Sequence, residues 1–203
     1  VYITQVRTAA LSAIATKHLA NPASSVVAVI GTGGMAYEQL NAILTVSPII
    51  KQVYIWNRTL DKAQQFMDRF KKEYPQWQVD IRVCDTIANA IKNADIINLA
   101  TRATKGLFEA SQIKPNTHIN AVGAYQATMK EVSNSVIEAS TSVIIDDAEG
   151  GLHEAGDLIQ ANDNVDCTWT WDKLTGTLED VVNKKIRVDL SQDKGITLFK
   201  SCL

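Results

Sequence analysis

Short apolar runs rich in β-branched residues alternate along this chain with stretches of helical periodicity. Val26 to Ile30, Gln52 to Trp56, Val79 to Val83, Ala94 to Ala100, His118 to Val122 and Val143 to Asp146 read as strands. Ala36 to Leu44, Leu60 to Tyr74, Thr86 to Lys92 and Val132 to Ala139 carry helical spacing between them, and Leu107 to Gln112 is a short crossover. Pro75 stops one helix, Asp85 is a suitable N-cap for the next, and Pro115-Asn116 marks a turn. An earlier helix, Ala9 to Ala20, places Leu11, Ile14 and Leu19 with several alanines on one close-packing face and ends at Asn21-Pro22. Strands separated by helices or short crossovers predict an α/β fold with a doubly wound, mostly parallel sheet.

The rhythm fades after Ala148. Gly150-Gly151, Asn162-Asp163-Asn164 and Gly176 predict an irregular segment around one helix, Leu178 to Val182, and Trp169 and Trp171 alternate as an edge strand would. The 203 residues are enough for one sizeable core. The expected organisation is therefore a single domain, 1–203: a connector helix over 1–21, a core over 24–147 and a C-terminal segment over 148–203.

One turn in this pattern carries chemistry. The strand Val26 to Ile30 runs directly into Gly31-x-Gly33-x-x-Ala36, and a second apolar strand follows the next helix. That order of strand, tight turn and helix start belongs to a dinucleotide-binding βαβ unit, the NAD(P)-binding, Rossmann-like arrangement. Gly31 permits the sharp turn, Gly33 lets backbone N–H groups approach a pyrophosphate, and Ala36 is small enough for close helix-on-strand packing. The pyrophosphate would sit at the positive end of the helix that starts near Met35.

Ligands of open α/β sheets bind outside the carboxyl ends of the strands. That rule selects Gly31 to Met35, Asn57 to Thr59, Thr101 to Thr104 and Gly123 to Tyr125. Asn57 stands where an NAD site usually places an acid for the ribose 2′-hydroxyl, and Arg58 beside it can offer a planar fork of donors to a 2′-phosphate, with the Thr59 hydroxyl adjacent. NADP(H) is favoured on this ground, with NAD(H) the alternative. Tyr125 could donate a proton, since a phenol with an ordinary pKa of about 10 is protonated at neutral pH, or it could form a pocket wall.

Charge and composition narrow the partners. A formal net charge of -2 offers no basic footprint for nucleic acid or an acidic membrane surface, and no apolar run approaches the roughly 20 residues of a membrane span. Cys84, Cys167 and Cys202 are odd in number and widely spaced, as in reduced thiols of a cytoplasmic protein. His153, Glu154 and Asp157 could share one helical turn, but further ligands are not in evidence and no metal is expected. His118, within a strand, reads as a partly buried, hydrogen-bonded imidazole.

The chain resembles the ornithine cyclodeaminase and mu-crystallin family. The matching segments run in order: Arg7-Thr8-Ala9-Ala10, Ile30-Gly31-Thr32-Gly33, Ile55-Trp56-Asn57-Arg58-Thr59, Ala100-Thr101-Arg102-Ala103-Thr104, Ile119-Asn120-Ala121-Val122-Gly123, Glu154-Ala155-Gly156-Asp157-Leu158 and Ile196-Thr197-Leu198-Phe199-Lys200-Ser201. The resemblance implies that Arg7 binds a substrate carboxylate. It also implies cofactor contacts from Thr8, Gly31, Thr32, Gly33, Gly34, Met35, Asn57, Arg58, Thr59, Ala100, Thr101, Arg102, Val122 and Gly123. Family members carry a preceding substrate and dimerisation segment, so a homodimeric full-length protein is expected, with this portion inactive alone.

Ornithine cyclodeaminases carry an Asp two residues after the glycine matched by Gly123; here that residue is Tyr125. A phenol does not replace a carboxylate base near neutral pH. The resemblance therefore implies NADPH-dependent reduction of a cyclic imino acid, of ketimine or pyrroline-2-carboxylate type. The alternatives are an NAD-dependent ornithine cyclodeaminase, a nucleotide-dependent small-molecule binding protein and an alanine-oxidising dehydrogenase.

Overall fold

The computed structural model describes residues 2–190 and 195–202. Eight strands form one sheet: β1 (Val26–Ile30), β2 (Gln52–Trp56), β3 (Asp80–Val83), β4 (Ile96–Leu99), β5 (His118–Ala121), β6 (Ser140–Ile145), β7 (Gly176–Thr177) and β8 (Ile196–Lys200). Their order is β3-β2-β1-β4-β5-β8-β6-β7, and every pair is parallel. The α/β expectation is met, with helices on both faces. β4, β5 and β8 are buried residue by residue, as strands covered on both sides must be.

On one face lie α1 (Tyr2–Leu19), α2 (Gly34–Val46) and α3 (Leu60–Glu73). Leu40, Ile43, Phe66 and Phe70 there close over Val27, Val29, Val53 and Ile55. On the other face, α4 (Ile87–Ile91), α5 (Asn134–Ala139) and α7 (Gly156–Asn162) supply Ile91, Val136, Ile137 and Leu158, which pack with Ile97, Leu99 and Ile119. α6 (Ala148–Glu154) leads into α7, and α8 (Leu178–Val182) covers β6 and β8 through Leu178 and Val181. Among the described residues no helix is long and apolar enough to cross a membrane.

Several sequence expectations change. The sheet is not confined to 24–147, because β8 inserts between β5 and β6 and the C-terminal segment completes the core. That segment also holds α6 and α7 where irregular chain was expected. Trp169 and Trp171 form no strand: Trp169 is buried, Trp171 opens a single 3-10 turn, and the two rings meet edge to face. Thr86, not Asp85, caps α4, with its hydroxyl accepting from the Asn89 N–H, while Asp85 receives the Asn89 side chain.

α1 begins earlier than Ala9 and turns a different face inward. Ile14 is exposed, whereas Thr8, Ala9, Ser12, Ala13, Ala15, Thr16 and Leu19 are buried. Small side chains allow close approach to α2 and the sheet, and the hydroxyls find partners. Gln39 Nε2 donates to Ser12 Oγ at 2.8 Å, Asn98 Nδ2 to Gln39 Oε1 at 3.0 Å, and Asn120 Nδ2 to Thr16 Oγ1 at 2.9 Å. These buried hydrogen bonds tie α1 to β5 directly and to β4 through Gln39 of α2.

His118 belongs to the same layer and is fully buried, not partly. Its Nδ1 lies 2.9 Å from Thr197 Oγ1 and its Nε2 3.1 Å from Asn120 Oδ1. Burial pushes its pKa down to about 4, against the upward pull of those contacts.

Candidate functional site

The carboxyl ends of β1, β4 and β5 open together because β1 and β4 are neighbours while their connections leave in opposite directions. At the end of β1, Gly31 adopts φ +99°, a left-handed conformation, and a Cβ there would stand 2.5 Å from the Ala100 carbonyl oxygen. The Gly31 N–H donates to the Trp56 carbonyl at 2.9 Å, which ties this turn to the end of β2. Gly33 then caps α2 with no side-chain bond to the helix, and a Cβ on it would meet nothing within 4 Å. Exposed N–H groups at a helix start, with open space before them, can receive a phosphate.

Beside that turn lies a cleft of about 470 Å³, lined by Gly33, Gly34, Met35, Ala100, Thr101, Arg102, Val122, Gly123 and Tyr125, with Thr4 and Gln5 from α1. Nine residues singled out in the sequence thus share one cavity. Thr4 and Gln5 were not among them, since nothing in the sequence says which turn of α1 crosses the cleft. A Cβ on Gly34 would be 2.5 Å from Gln5 Nε2, so this amide sits directly over the start of α2.

A second cleft, of about 280 Å³, lies between α2 and α3 and is lined by Thr32, Gly33, Gly34, Lys62, Gln65 and Arg69, with Tyr37 and Phe66 at its base. Arg69 is held by Glu73 at 3.0 Å and lies 4.2 Å above the Tyr37 ring centre. Lys62 has no ion-pair partner among the described residues, and the sequence reading passed over it.

Asn57, Arg58 and Thr59 follow β2 but line neither cleft. Asn57 Nδ2 donates to the Thr59 carbonyl at 3.0 Å, which shapes the turn into α3. Arg58 is exposed and unpaired among the described residues. On α1, Arg7 is exposed one turn beyond Thr4, while Thr8 has no accessible surface and can reach a phosphate only if the packing of α1 opens.

Behind the cleft lies a charged cluster that the sequence reading did not identify. Glu131 Oε1 accepts from the Thr101 N–H and Oε2 from the Gly123 N–H, both at 2.5 Å. Asp157 Oδ1 accepts from the N–H groups of Glu131 and Val132 at 2.6 and 2.9 Å. Lys200 Nζ stands 3.1 Å from Asp157 Oδ2, an ion-pair contact off the hydrogen-bond axis, and donates to the Ala124 carbonyl at 2.7 Å. All three side chains are fully buried. Burial, reinforced by Asp157, raises the Glu131 pKa to about 7 against the opposing pull of Lys200 and the Thr101 N–H. A signal did exist in the sequence: a lysine that closes the mostly apolar strand Ile196 to Lys200 implies a buried partner.

His153, Glu154 and Asp157, which could have shared one helical turn, lie on two different helices. His153 and Glu154 close α6 on the surface, whereas Asp157 begins α7 and points inward.

Residues 1–202 match the family described as ornithine cyclodeaminase/mu-crystallin family. The ketimine reductase mu-crystallin of Macropus fuliginosus is 38% identical over 157 residues, covering 77% of this chain and 47% of the relative. Among solved structures, the Thermococcus litoralis Δ1-pyrroline-2-carboxylate reductase, in complex with NADH and L-proline, superposes with a TM-score of 0.91 at 28% identity. That match covers 99% of this chain and 60% of the other. An archaeal alanine dehydrogenase dimer with bound NAD superposes at TM-score 0.86 and 26% identity, covering 98% and 60%. The chain spans about half the length of the curated relatives it matches.

Proposed function

We propose, from the premise that the chain belongs to the ornithine cyclodeaminase/mu-crystallin family, that it is the cofactor-binding part of an enzyme reducing the C=N bond of a cyclic imino acid with NADPH. The observation that carries this reading is the lining of the larger cleft. Tyr125 stands beside Gly123, and none of the described lining residues is a carboxylate. Cyclodeamination asks for a base on the substrate amine, whereas imine reduction takes a hydride and a proton. The names of the mu-crystallin and pyrroline-2-carboxylate reductase relatives support the same chemistry.

The residues fit a dinucleotide. Gly33 and the start of α2 leave room and N–H donors for a pyrophosphate, and Gly31 makes the turn that exposes them. Arg58, with no acid at the end of β2, supports a 2′-phosphate and hence NADPH, although the solved relatives carry NADH and NAD. When bound, the nicotinamide supplies the hydride. Thr101, Arg102, Val122 and Gly123 shape the cavity that orients the ring, and Arg7, one turn from Thr4, holds the substrate carboxylate in a bidentate pair. Tyr125 bounds the substrate side and can hydrogen-bond the nitrogen that gains the proton. The full-length protein acts as a homodimer, a reading supported by the dimeric alanine dehydrogenase, and in the cytoplasm, supported by three free thiols.

Assays of the full-length protein with pyrroline-2-carboxylate or piperideine-2-carboxylate plus NADPH test the reading. Oxidation of NADPH with either substrate is the expected result, and none with both overturns it. Ammonia release from ornithine without net cofactor consumption would establish the lyase instead, and tight ligand binding without turnover a binding protein.

A further inference from the structure

The backbone segments after β4 and after β5 border the same cleft, and one side chain holds both. Glu131 receives the Thr101 N–H on one carboxylate oxygen and the Gly123 N–H on the other. The arrangement has no slack: a Cβ on Gly123 would stand 2.1 Å from the Thr101 carbonyl oxygen and 2.5 Å from both Glu131 oxygens. Glu131 is itself seated from behind by Asp157, which accepts its backbone N–H and that of Val132. Lys200 balances Asp157 and donates to the carbonyls of Ala121 and Ala124, on either side of Gly123.

Surface loops ordinarily satisfy their backbone with water. Here the two segments are tied instead to a fully buried carboxylate, whose desolvation is unfavourable. Such an arrangement makes physical sense where the separation of the loops must be held closely. The sheet order gives the reason. A phosphate at the start of α2 lies over β1, so one half of an extended dinucleotide runs over β2 and the other over β4 and β5. Only the second half meets the segments that Glu131 holds.

We propose that Glu131 is a positioning residue: without touching the cofactor, it sets the spacing of the β4 and β5 loops and so the shape of the nicotinamide half of the cleft. The proposal rests on the dinucleotide reading above. Asp157 and Lys200 act through Glu131 and through the carbonyls flanking Gly123.

The test compares NADPH with 2′-phosphoadenosine 5′-diphosphoribose, the same molecule without its nicotinamide, by titration calorimetry on this chain and its Glu131→Gln variant. Glutamine can accept only one of the two N–H bonds, so the Kd for NADPH should rise about tenfold while that for the fragment stays within about twofold. Equal weakening of both ligands, or of neither, overturns the proposal. Absence of binding of both ligands to the unmodified chain removes the NADPH reading itself, and is seen before any variant is made. Hydrogen exchange keeps the proposal falsifiable if the variant fails to fold. In the unmodified chain the Thr101 and Gly123 amides should exchange as slowly as those of β4 and β5. Fast exchange at either would show that the carboxylate does not hold the loops.

Discussion

Lys200 Nζ and Asp157 Oδ2 face each other at 3.1 Å with no exposed surface on either side chain, joining the last strand of the sheet to the start of α7. Removing one member leaves a buried charge without its partner. Lys200→Met should therefore destabilise the chain by about 3–5 kcal/mol in urea unfolding. Adding Asp157→Leu should recover a large part of that loss, although the Glu131 and Val132 N–H groups then lose their acceptor. An additive double variant would show that the two residues do not act as a pair.

The two glycines of the β1 turn should separate into different phenotypes. Gly31→Ala forces a Cβ to 2.5 Å from the Ala100 carbonyl at a positive φ, and should lower stability by about 1–3 kcal/mol along with nucleotide binding. Gly33→Ala meets nothing within 4 Å in the protein, so the midpoint of thermal unfolding should hold within a few degrees. NADPH binding should nevertheless weaken, because the methyl group occupies the space before the helix start. Unchanged NADPH affinity in Gly33→Ala would count against a phosphate at that position.

Arg58 should discriminate between the two nicotinamide dinucleotides. A charge-assisted contact with a 2′-phosphate contributes about 1.5–3 kcal/mol, so Arg58→Ala should weaken NADPH by roughly 10- to 150-fold and leave NADH within about twofold. Calorimetric titration with both cofactors decides it, and equal losses would remove the assignment of that residue.

His118 should make the chain acid-sensitive. Its folded pKa of about 4 lies below the ordinary 6.5, so the unfolded chain binds the extra proton between these values. Stability is unaffected by this group above pH 6.5 and falls as pH drops from 6.5 to 4, by up to ~3 kcal/mol. Glu131 titrates with the opposite sign: its raised pKa of about 7 makes stability fall as pH rises through an overlapping window. The difference between the unmodified chain and His118→Gln is therefore the readout. Chemical unfolding at pH 7 and pH 4.5 should show the gap between them narrowing at the lower pH, and a constant gap would contradict the assignment.

How much of this was legible in the sequence follows from where each property resides. The strand boundaries at Val26 and Ile30 are visible because burial on two faces demands an uninterrupted apolar run, a local requirement. The same holds for Gly31, whose backbone conformation excludes other residues whatever lies around it. The inward face of α1 was misjudged for the converse reason. Thr8, Ser12 and Thr16 are polar by composition, and their burial depends on Gln39, Asn98 and Asn120 lying opposite.

The sequence by itself thus determined the α/β alternation, the nucleotide-type turn and the residues at the carboxyl ends of β1, β2, β4 and β5, since periodicity, turn chemistry and motif spacing act over a few residues. Only the tertiary structure decided that β8 enters between β5 and β6, that Thr4 and Gln5 reach the cleft and that Glu131, Asp157 and Lys200 meet behind it. The physical reason is the cost of burying charge. Lys200 can lie in the core only where Asp157 and the carbonyls of Ala121 and Ala124 converge on it from other elements, and that convergence belongs to the packed sheet.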